Sequence, residues 1–332
     1  MQVTGKRIMV TGAAGFIGSH LSDRLALNNE LLLVDDFSVG TRENLEKLVN
    51  HPHVEIVEAD VSDGPKMDEL MASGIDIVFH LAMSCLRTSI NQPFMSHDVN
   101  AGGTLCTCLA ARDHHVQRFI YVSSSEIYGT AETAPMSESH PCKPTTVYGA
   151  SKLAGELYAL SCWRAYKLPV SVVRPFNTYG PRSPYEGPRA EVIPRFVIQM
   201  EHSQPPVIHG DGSQTRDFTY VDDTVSGLVQ AAECDELVGD IVNIAYGVEV
   251  SINRIAELIA REMGDGSHPA IHTEPRPGAV DRHYADINKS QRLFGFEPRI
   301  DIEKGLALTI EWCRANEIAK RVPSGVAGAP NW

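Results

Sequence analysis

Two short stretches of this chain carry residue types at spacings that could do chemistry. Tyr148 and Lys152 stand at i and i+4 in Tyr148-Gly149-Ala150-Ser151-Lys152, which puts them on one face of a helix. An ammonium beside a phenol would stabilise the phenolate and lower its pKa from ~10 towards neutrality, so Tyr148 could act as a general base. The other stretch is Ser123-Ser124-Ser125-Glu126-Ile127-Tyr128-Gly129, entered from an apolar run. A hydroxyl at the carboxyl end of a strand could bond a substrate hydroxyl and relay its proton. The plainer reading of the same residues is an exposed helix face and a capped turn.

A third motif supplies context. Thr11-Gly12-Ala13-Ala14-Gly15-Phe16-Ile17-Gly18 follows an apolar strand and opens a helical pattern. Gly12 would permit the tight turn, Gly15 the close approach of a pyrophosphate to the helix N-terminus, and Gly18 close helix–sheet packing. Asp35 ends the next strand, where it should accept from the ribose hydroxyls of NAD and repel the 2′-phosphate of NADP. Asp60 ends the third strand and could touch the adenine or cap a helix.

These motifs need a scaffold, and the periodicity supplies one. Apolar strands are expected at Arg7–Thr11, Leu31–Val34, Val54–Glu58, Ile75–Leu81, Phe119–Ser123 and Val170–Arg174, alternating with helical patterns. Ile17, Leu21 and Leu25 form one such helical face, and Val99–Arg112 and Tyr148–Tyr166 are longer helical segments. This alternation predicts an α/β fold with a doubly wound parallel (Rossmann) sheet and a second, smaller α/β substrate domain. The NAD-binding unit is placed at 1–175, with part of 216–250 returning to it. A smaller, discontinuous domain is placed at 176–320 and a flexible tail at 321–332, rich in Gly, Pro and Ala. Composition narrows the function classes. The 332 residues carry 29 Lys and Arg against 42 Asp and Glu, a net charge of −13 with no basic run, which argues against nucleic acid. No apolar stretch suits a membrane span and no secretory leader is evident, so a cytoplasmic enzyme is expected. Seven cysteines without a CxxC pair read as reduced thiols, and no metal site is expected.

Together Gly12–Gly18, Asp35, His80-Leu81-Ala82, Asn100, the serine-rich turn, Tyr148/Lys152 and Arg174-Pro175-Phe176-Asn177-Thr178-Tyr179-Gly180-Pro181-Arg182 resemble the nucleotide-sugar epimerase/dehydratase family of extended short-chain dehydrogenases/reductases. The resemblance spans about residues 6–315. It implies a triad of Ser124, Tyr148 and Lys152, with Ser125 and Glu126 beside it. It implies NAD contacts from Gly12, Ala14, Gly15, Phe16, Ile17 and Gly18, then Asp35, Asp36, Asp60 and Val61, and also Leu81, Ala82, Met83, Asn100, Tyr148 and Lys152. For the sugar and its nucleotide it implies Ser84, Arg87, Asn177 on the diphosphate, and Val192, Ile193 and Arg195 near the base, with Val207 and His209. Arg216 and Arg276 would clamp phosphates through the guanidinium fork, or form surface ion pairs. Ala279 departs from relatives that carry an acidic residue after Arg-Pro-Gly. Relatives form homodimers through helices equivalent to Val99–Arg112 and Tyr148–Tyr166.

Members of the family begin by oxidising a sugar 4-hydroxyl. Dehydratases then use an Asp-Glu pair, and here Ser125 stands where that Asp would be, a poor acid. Ser-Glu resembles UDP-glucuronate decarboxylases, whereas Tyr148–Glu156 and Val34–Asn44 resemble 4-epimerases. The expected activity is a UDP-sugar 4-epimerase, with UDP-glucuronate converted to UDP-galacturonate and its carboxylate held by Arg182 and the serine-rich turn; Ser183 and Arg189 follow Arg182 on the loop that should cover the sugar. Arg182 could equally pair with Glu186 or Glu191. The decarboxylase is the alternative reaction; further alternatives are a UDP-hexose 4-epimerase, a 4,6-dehydratase and a non-catalytic NAD sensor.

Overall fold

The computed structural model describes residues 1–264, 269–275 and 280–324. Its centre is a seven-stranded sheet built from β1 (Arg7–Thr11), β2 (Glu30–Asp35), β3 (Val54–Glu58), β4 (Ile77–His80), β5 (Arg118–Val122), β6 (Val170–Pro175) and a last strand, Ile241–Ile244. The spatial order is β3-β2-β1-β4-β5-β6 followed by Ile241–Ile244. All six pairings are parallel. β4 and β5 are buried at every residue, as expected of strands covered by helices on both faces. The order reverses between β1 and β4, and the crevice outside those carboxyl ends is where such a sheet takes its ligand.

Helix α1 (Phe16–Leu25) follows β1 and turns Leu21 and Leu25 into the core. The long helix Val147–Tyr166 is capped by Thr146, whose hydroxyl accepts from Gly149 N, and ends at Lys167 in left-handed geometry. It lies beside β5 and carries Tyr148 and Lys152. The segment expected as one helix at Val99–Arg112 is instead a wide π-helical turn, Asp98–Gly103, running into an α-helix, Thr104–Asp113. The wide turn falls at Gly102-Gly103, where Asn100 turns inward to bond the backbone of Ser84.

After β6 the elements shorten. Thr178–Tyr179 pairs with Thr219–Tyr220, Thr215–Asp217 with Glu249–Ser251, and Val207–His209 with Ile271–Thr273. Helices Val192–Glu201, Ile252–Met263 and Ile302–Ala315 back these ladders. One apolar cluster joins Ile8, Val10 and Leu21 to Phe196, Ile255 and Leu306, so the two parts share a core. No described helix is long and apolar enough to cross a membrane. Of the tail expected at 321–332, residues 321–324 are described. Arg321 closes a short helix and pairs with Glu43, and the Val322 carbonyl bonds His202 Nε2 at 2.9 Å. Residues 325–332 lie outside the described residues.

Candidate active site

The glycine turn is closed by contact. Gly12 has φ +71°, and a Cβ there would fall 2.7 Å from Ala82 N; a Cβ on Gly18 would fall 2.0 Å from the Gly12 carbonyl oxygen. Both positions exclude a side chain because backbone occupies its space. Helix α1 then starts at Gly15 with no side-chain cap and no acidic residue in its first turn. Its N-terminal amides and positive dipole end are thus left for an anion, which is the fit a pyrophosphate needs. Asp35 braces the turn. Its two carboxylate oxygens accept from Ala14 N and Phe37 N, each at 2.8 Å. Burial pushes its carboxyl above the usual range, against the pull of those amides. Phe16 and Ile17 are partly buried and packed on the core, while Val61 is buried against Gly103. On the β4 side, Leu81 N bonds the Thr11 carbonyl and Ala82 N the Thr11 hydroxyl, with Met83 next in the chain.

Three expected cofactor contacts already have partners within the protein. Asn100 is fully buried, and its amide is spent on Ser84 N at 2.7 Å, Ser84 O at 3.1 Å and Ser151 Oγ at 2.9 Å. It therefore fixes the loop after β4 rather than facing a ligand. Asp60 is exposed and closes its own turn onto Ser62 N at 2.8 Å, and the helix cap there is Asp63, which accepts from Lys66 N. Asp36 likewise turns onto Ser38, through both its amide and its hydroxyl.

At the end of β5, Ser124 accepts from Glu126 N at 3.2 Å and sits next to the Tyr148 phenol, whose anionic form it favours. Burial pushes that phenol above its ordinary range, and the charge of Glu126 adds to the effect. The ammonium–phenol pairing expected from the i, i+4 spacing is not made. Lys152 Nζ donates to the Val122 carbonyl at 2.7 Å and lies 4.5 Å from the Tyr121 ring centroid. Burial lowers Lys152 to about 7. A desolvated ammonium takes a carbonyl within reach, here that of Val122 at the end of β5. Below this lies a polar core: Arg174 and Glu156 pair at 2.5 Å, with Ser123 on the same carboxylate at 2.8 Å and Tyr128 on Arg174 at 2.7 Å. Each charge there has a partner, which is what allows it to be buried.

Glu126 is held near Tyr148, with Arg216, Glu191 and Arg87 close enough to bias its carboxyl; burial raises it and the two arginines oppose that. Arg216 donates to the Thr215 carbonyl at 2.7 Å. Arg195, at the first turn of helix Val192–Glu201, is buried near Arg87 and Glu191, and desolvation lowers it to about 10. Val192 opens that helix partly exposed, but Ile193 is 1% exposed and belongs to the core, so its side chain does not reach the crevice. Asn177 Oδ1 and Ser84 Oγ are buried and without a partner, which suits polar groups waiting on a ligand. Val207 and His209 border Ile271–Thr273, where His209 Nδ1 meets the Thr273 hydroxyl at 2.8 Å beside a cleft of about 960 Å³. Arg276 lies outside the described residues.

Arg182 is the main correction. Its guanidinium bonds Asp23 of helix α1 at 2.7 Å, neither reaching the serine-rich turn nor pairing with Glu186 or Glu191. His20 on the same helix bonds the neighbouring Pro181 carbonyl at 2.9 Å. Arg189 points elsewhere too, onto the Ser38 carbonyl at 2.6 Å, and Ser183 is buried. Periodicity could not reveal this, because Asp23 is 159 residues away.

Two residues that sequence reasoning passed over border the site. His283 is fully buried, donates through Nε2 to the Ser125 carbonyl at 3.0 Å, and lies 5.1 Å from the Phe176 ring. Asp217 accepts from the amides of Tyr246, Gly247 and Ala285, tying two loops to the strand that carries Arg216. No spacing signal marks His283. Asp217 was visible only as the neighbour of Arg216.

Similarity to known proteins identifies the family. Residues 8–245 match the NAD dependent epimerase/dehydratase family. The chain is 35% identical over 312 residues to a putative UDP-glucose 4-epimerase of Methanocaldococcus jannaschii, covering 93% of this chain and 99% of that protein. Its fold superposes with a TM-score of 0.89 and 32% identity on the UDP-N-acetylglucosamine 4-epimerase of Methanobrevibacter ruminantium M1, over 95% of this chain and all of that one. A UDP-glucuronic acid 4-epimerase from Bacillus cereus, solved with UDP-glucuronic acid and NAD, gives 0.87 and 30% over 93% of this chain and 99% of that one. Coverage, identity and the dinucleotide turn together make this chain a member of the NAD-dependent epimerase/dehydratase family, an enzyme that uses NAD.

Proposed function

We propose that the protein is a 4-epimerase of a UDP-sugar, and that its sugar is a neutral hexose rather than a uronate. The observation that carries the reaction is the Tyr148 phenol next to the Ser124 hydroxyl at the carboxyl end of β5, beside the uncapped glycine turn. Bound NAD supplies a hydride acceptor at this crevice. Tyr148 takes the proton of the sugar 4-hydroxyl, and Ser124 holds that hydroxyl and the phenol in line. The 4-keto sugar would turn over in the pocket so that the hydride returns to carbon 4 on the opposite face, while Tyr148 gives its proton back to the carbon-4 oxygen. Lys152 and the amides of the glycine turn hold the dinucleotide, while Asn177 and Arg216 hold the diphosphate. Ser125 in place of a carboxylic acid leaves no good proton donor for expulsion of a 6-hydroxyl, which supports epimerisation over dehydration.

The sugar assignment follows from the charges. The guanidinium expected to clamp a uronate is occupied by Asp23. Near Tyr148 stand two carboxylates instead, Glu126 and Glu191. An anionic sugar there meets like charge, which a neutral hexose does not. The names of several relatives support a UDP-hexose.

We read the enzyme further as a cytoplasmic homodimer. Ile90, Phe94, Leu157 and Tyr158 are exposed, Phe94 at 82%, on helices that pack beside Val147–Tyr166 and on that helix itself. An apolar face there suits a second copy of the chain. Free thiols at all seven cysteines suit a reducing compartment. The test of the function is product identification after incubation with UDP-glucose, UDP-N-acetylglucosamine and UDP-glucuronate. Formation of the 4-epimers of the neutral sugars is expected. A 4-keto-6-deoxy product would mean dehydration, and carbon dioxide with a UDP-pentose would mean decarboxylation.

A further inference from the structure

Glu191 stands immediately before helix Val192–Glu201, where its backbone takes the N-cap position. Its carboxylate accepts from Arg87 Nη1 at 3.3 Å, and the same nitrogen donates to the Arg189 carbonyl at 3.2 Å. Arg87 lies in the short helix Leu86–Asn91 that follows β4, with its side chain 12% exposed against 48% for Glu191, and its Nε is buried without a partner. Arg87 is thus the covered partner and Glu191 the one that faces the opening. Glu191 is also near enough to Tyr148 and Glu126 for its charge to act on both. The sugar end of the crevice therefore holds two carboxylates and a guanidinium that one of them occupies.

We propose that Glu191 sets the charge preference of the sugar pocket: it occupies the Arg87 guanidinium, and its own charge turns an acidic sugar away. The inference rests on the reading of the site as that of a UDP-sugar 4-epimerase. The mechanism is electrostatic. A half-exposed ion pair is weak, so an incoming carboxylate could compete for Arg87 once the competing charge is gone. A like charge left in place raises the energy of every uronate pose near it. A neutral hexose experiences neither effect, so removal of the Glu191 charge should act on one substrate class and spare the other.

The experiment uses the NAD-containing protein with Tyr148→Phe, so that the sugar binds without turnover. UDP-glucose and UDP-glucuronate are titrated by calorimetry. Adding E191Q should tighten UDP-glucuronate about tenfold, about 1.4 kcal/mol, and leave UDP-glucose nearly unchanged. E191A, the second variant, should do the same, and R87A added to E191Q should abolish the gain. An unchanged ratio of the two affinities, or an equal change for both sugars, would overturn the proposal. Turnover is measured separately on the protein with Tyr148 intact. If that protein converts no UDP-sugar the epimerase reading fails, whereas conversion with an unaltered affinity ratio sinks only the role of Glu191.

Discussion

Replacing Lys152 by Met should separate stability from activity. Lys152 is 2% exposed, its Nζ bonds the Val122 carbonyl at 2.7 Å, and burial lowers it from 10.5 to about 7. The depressed value means that the unfolded chain holds more protons than the folded one between those limits. The cost of burying the ammonium is fully present below pH 7 and disappears as pH rises towards the unfolded value. At 1.36 kcal/mol per unit, the wild type should lose about 2 to 3 kcal/mol relative to the variant on going from about pH 9 to about pH 6. Methionine leaves the Val122 carbonyl without its donor, a pH-independent cost of about 1–3 kcal/mol. Urea denaturation of the cofactor-free proteins at both pH values reads the difference, and turnover should fall by orders of magnitude. A stability difference of the same size at both pH values would refute a desolvated ammonium at this position.

Three further outcomes are expected. Gly18→Ala sets a methyl against the Gly12 carbonyl, a backbone overlap worth about 1–3 kcal/mol; the purified variant should lose NAD on dialysis while keeping its circular dichroism, and full NAD retention would contradict the packing. Arg182→Ala should cost about 1 kcal/mol of stability through the partly buried Asp23 pair, with no change in the ratio of uronate to hexose turnover, and a selective loss with UDP-glucuronate would restore the carboxylate clamp. His283→Phe should lower kcat more than it raises KM, because the Ser125 carbonyl loses its donor while the diphosphate contacts remain; equal kinetics would remove His283 from the site's support.

The strands were legible because β1 to β6 are short apolar runs punctuated by glycine and polar turns, and the glycine spacing located the dinucleotide turn. Tyr148 and Ser124 were legible because each is local to one helix or one strand end, and the fold brings them together. What stayed hidden depended on long-range pairing. Arg182 reads as a free cation on its loop, yet Asp23 captures it across the molecule. Asn100 reads as a polar residue aimed at a ligand, yet its amide is consumed by Ser84 and Ser151. Lys152 shares a face with Tyr148, but side-chain direction and desolvation send its ammonium to β5. In each case sequence gave the residue's chemistry, and only packing decided its partner.

The central claim is that hydride leaves carbon 4 of the sugar and returns to it while Tyr148 carries the proton. UDP-glucose bearing deuterium at carbon 4, incubated with the NAD-containing enzyme, tests this by the position of the label in the product. The account requires UDP-galactose with the deuterium still at carbon 4, and no such product from Tyr148→Phe. Deuterium moved to carbon 6 or lost to solvent would contradict it.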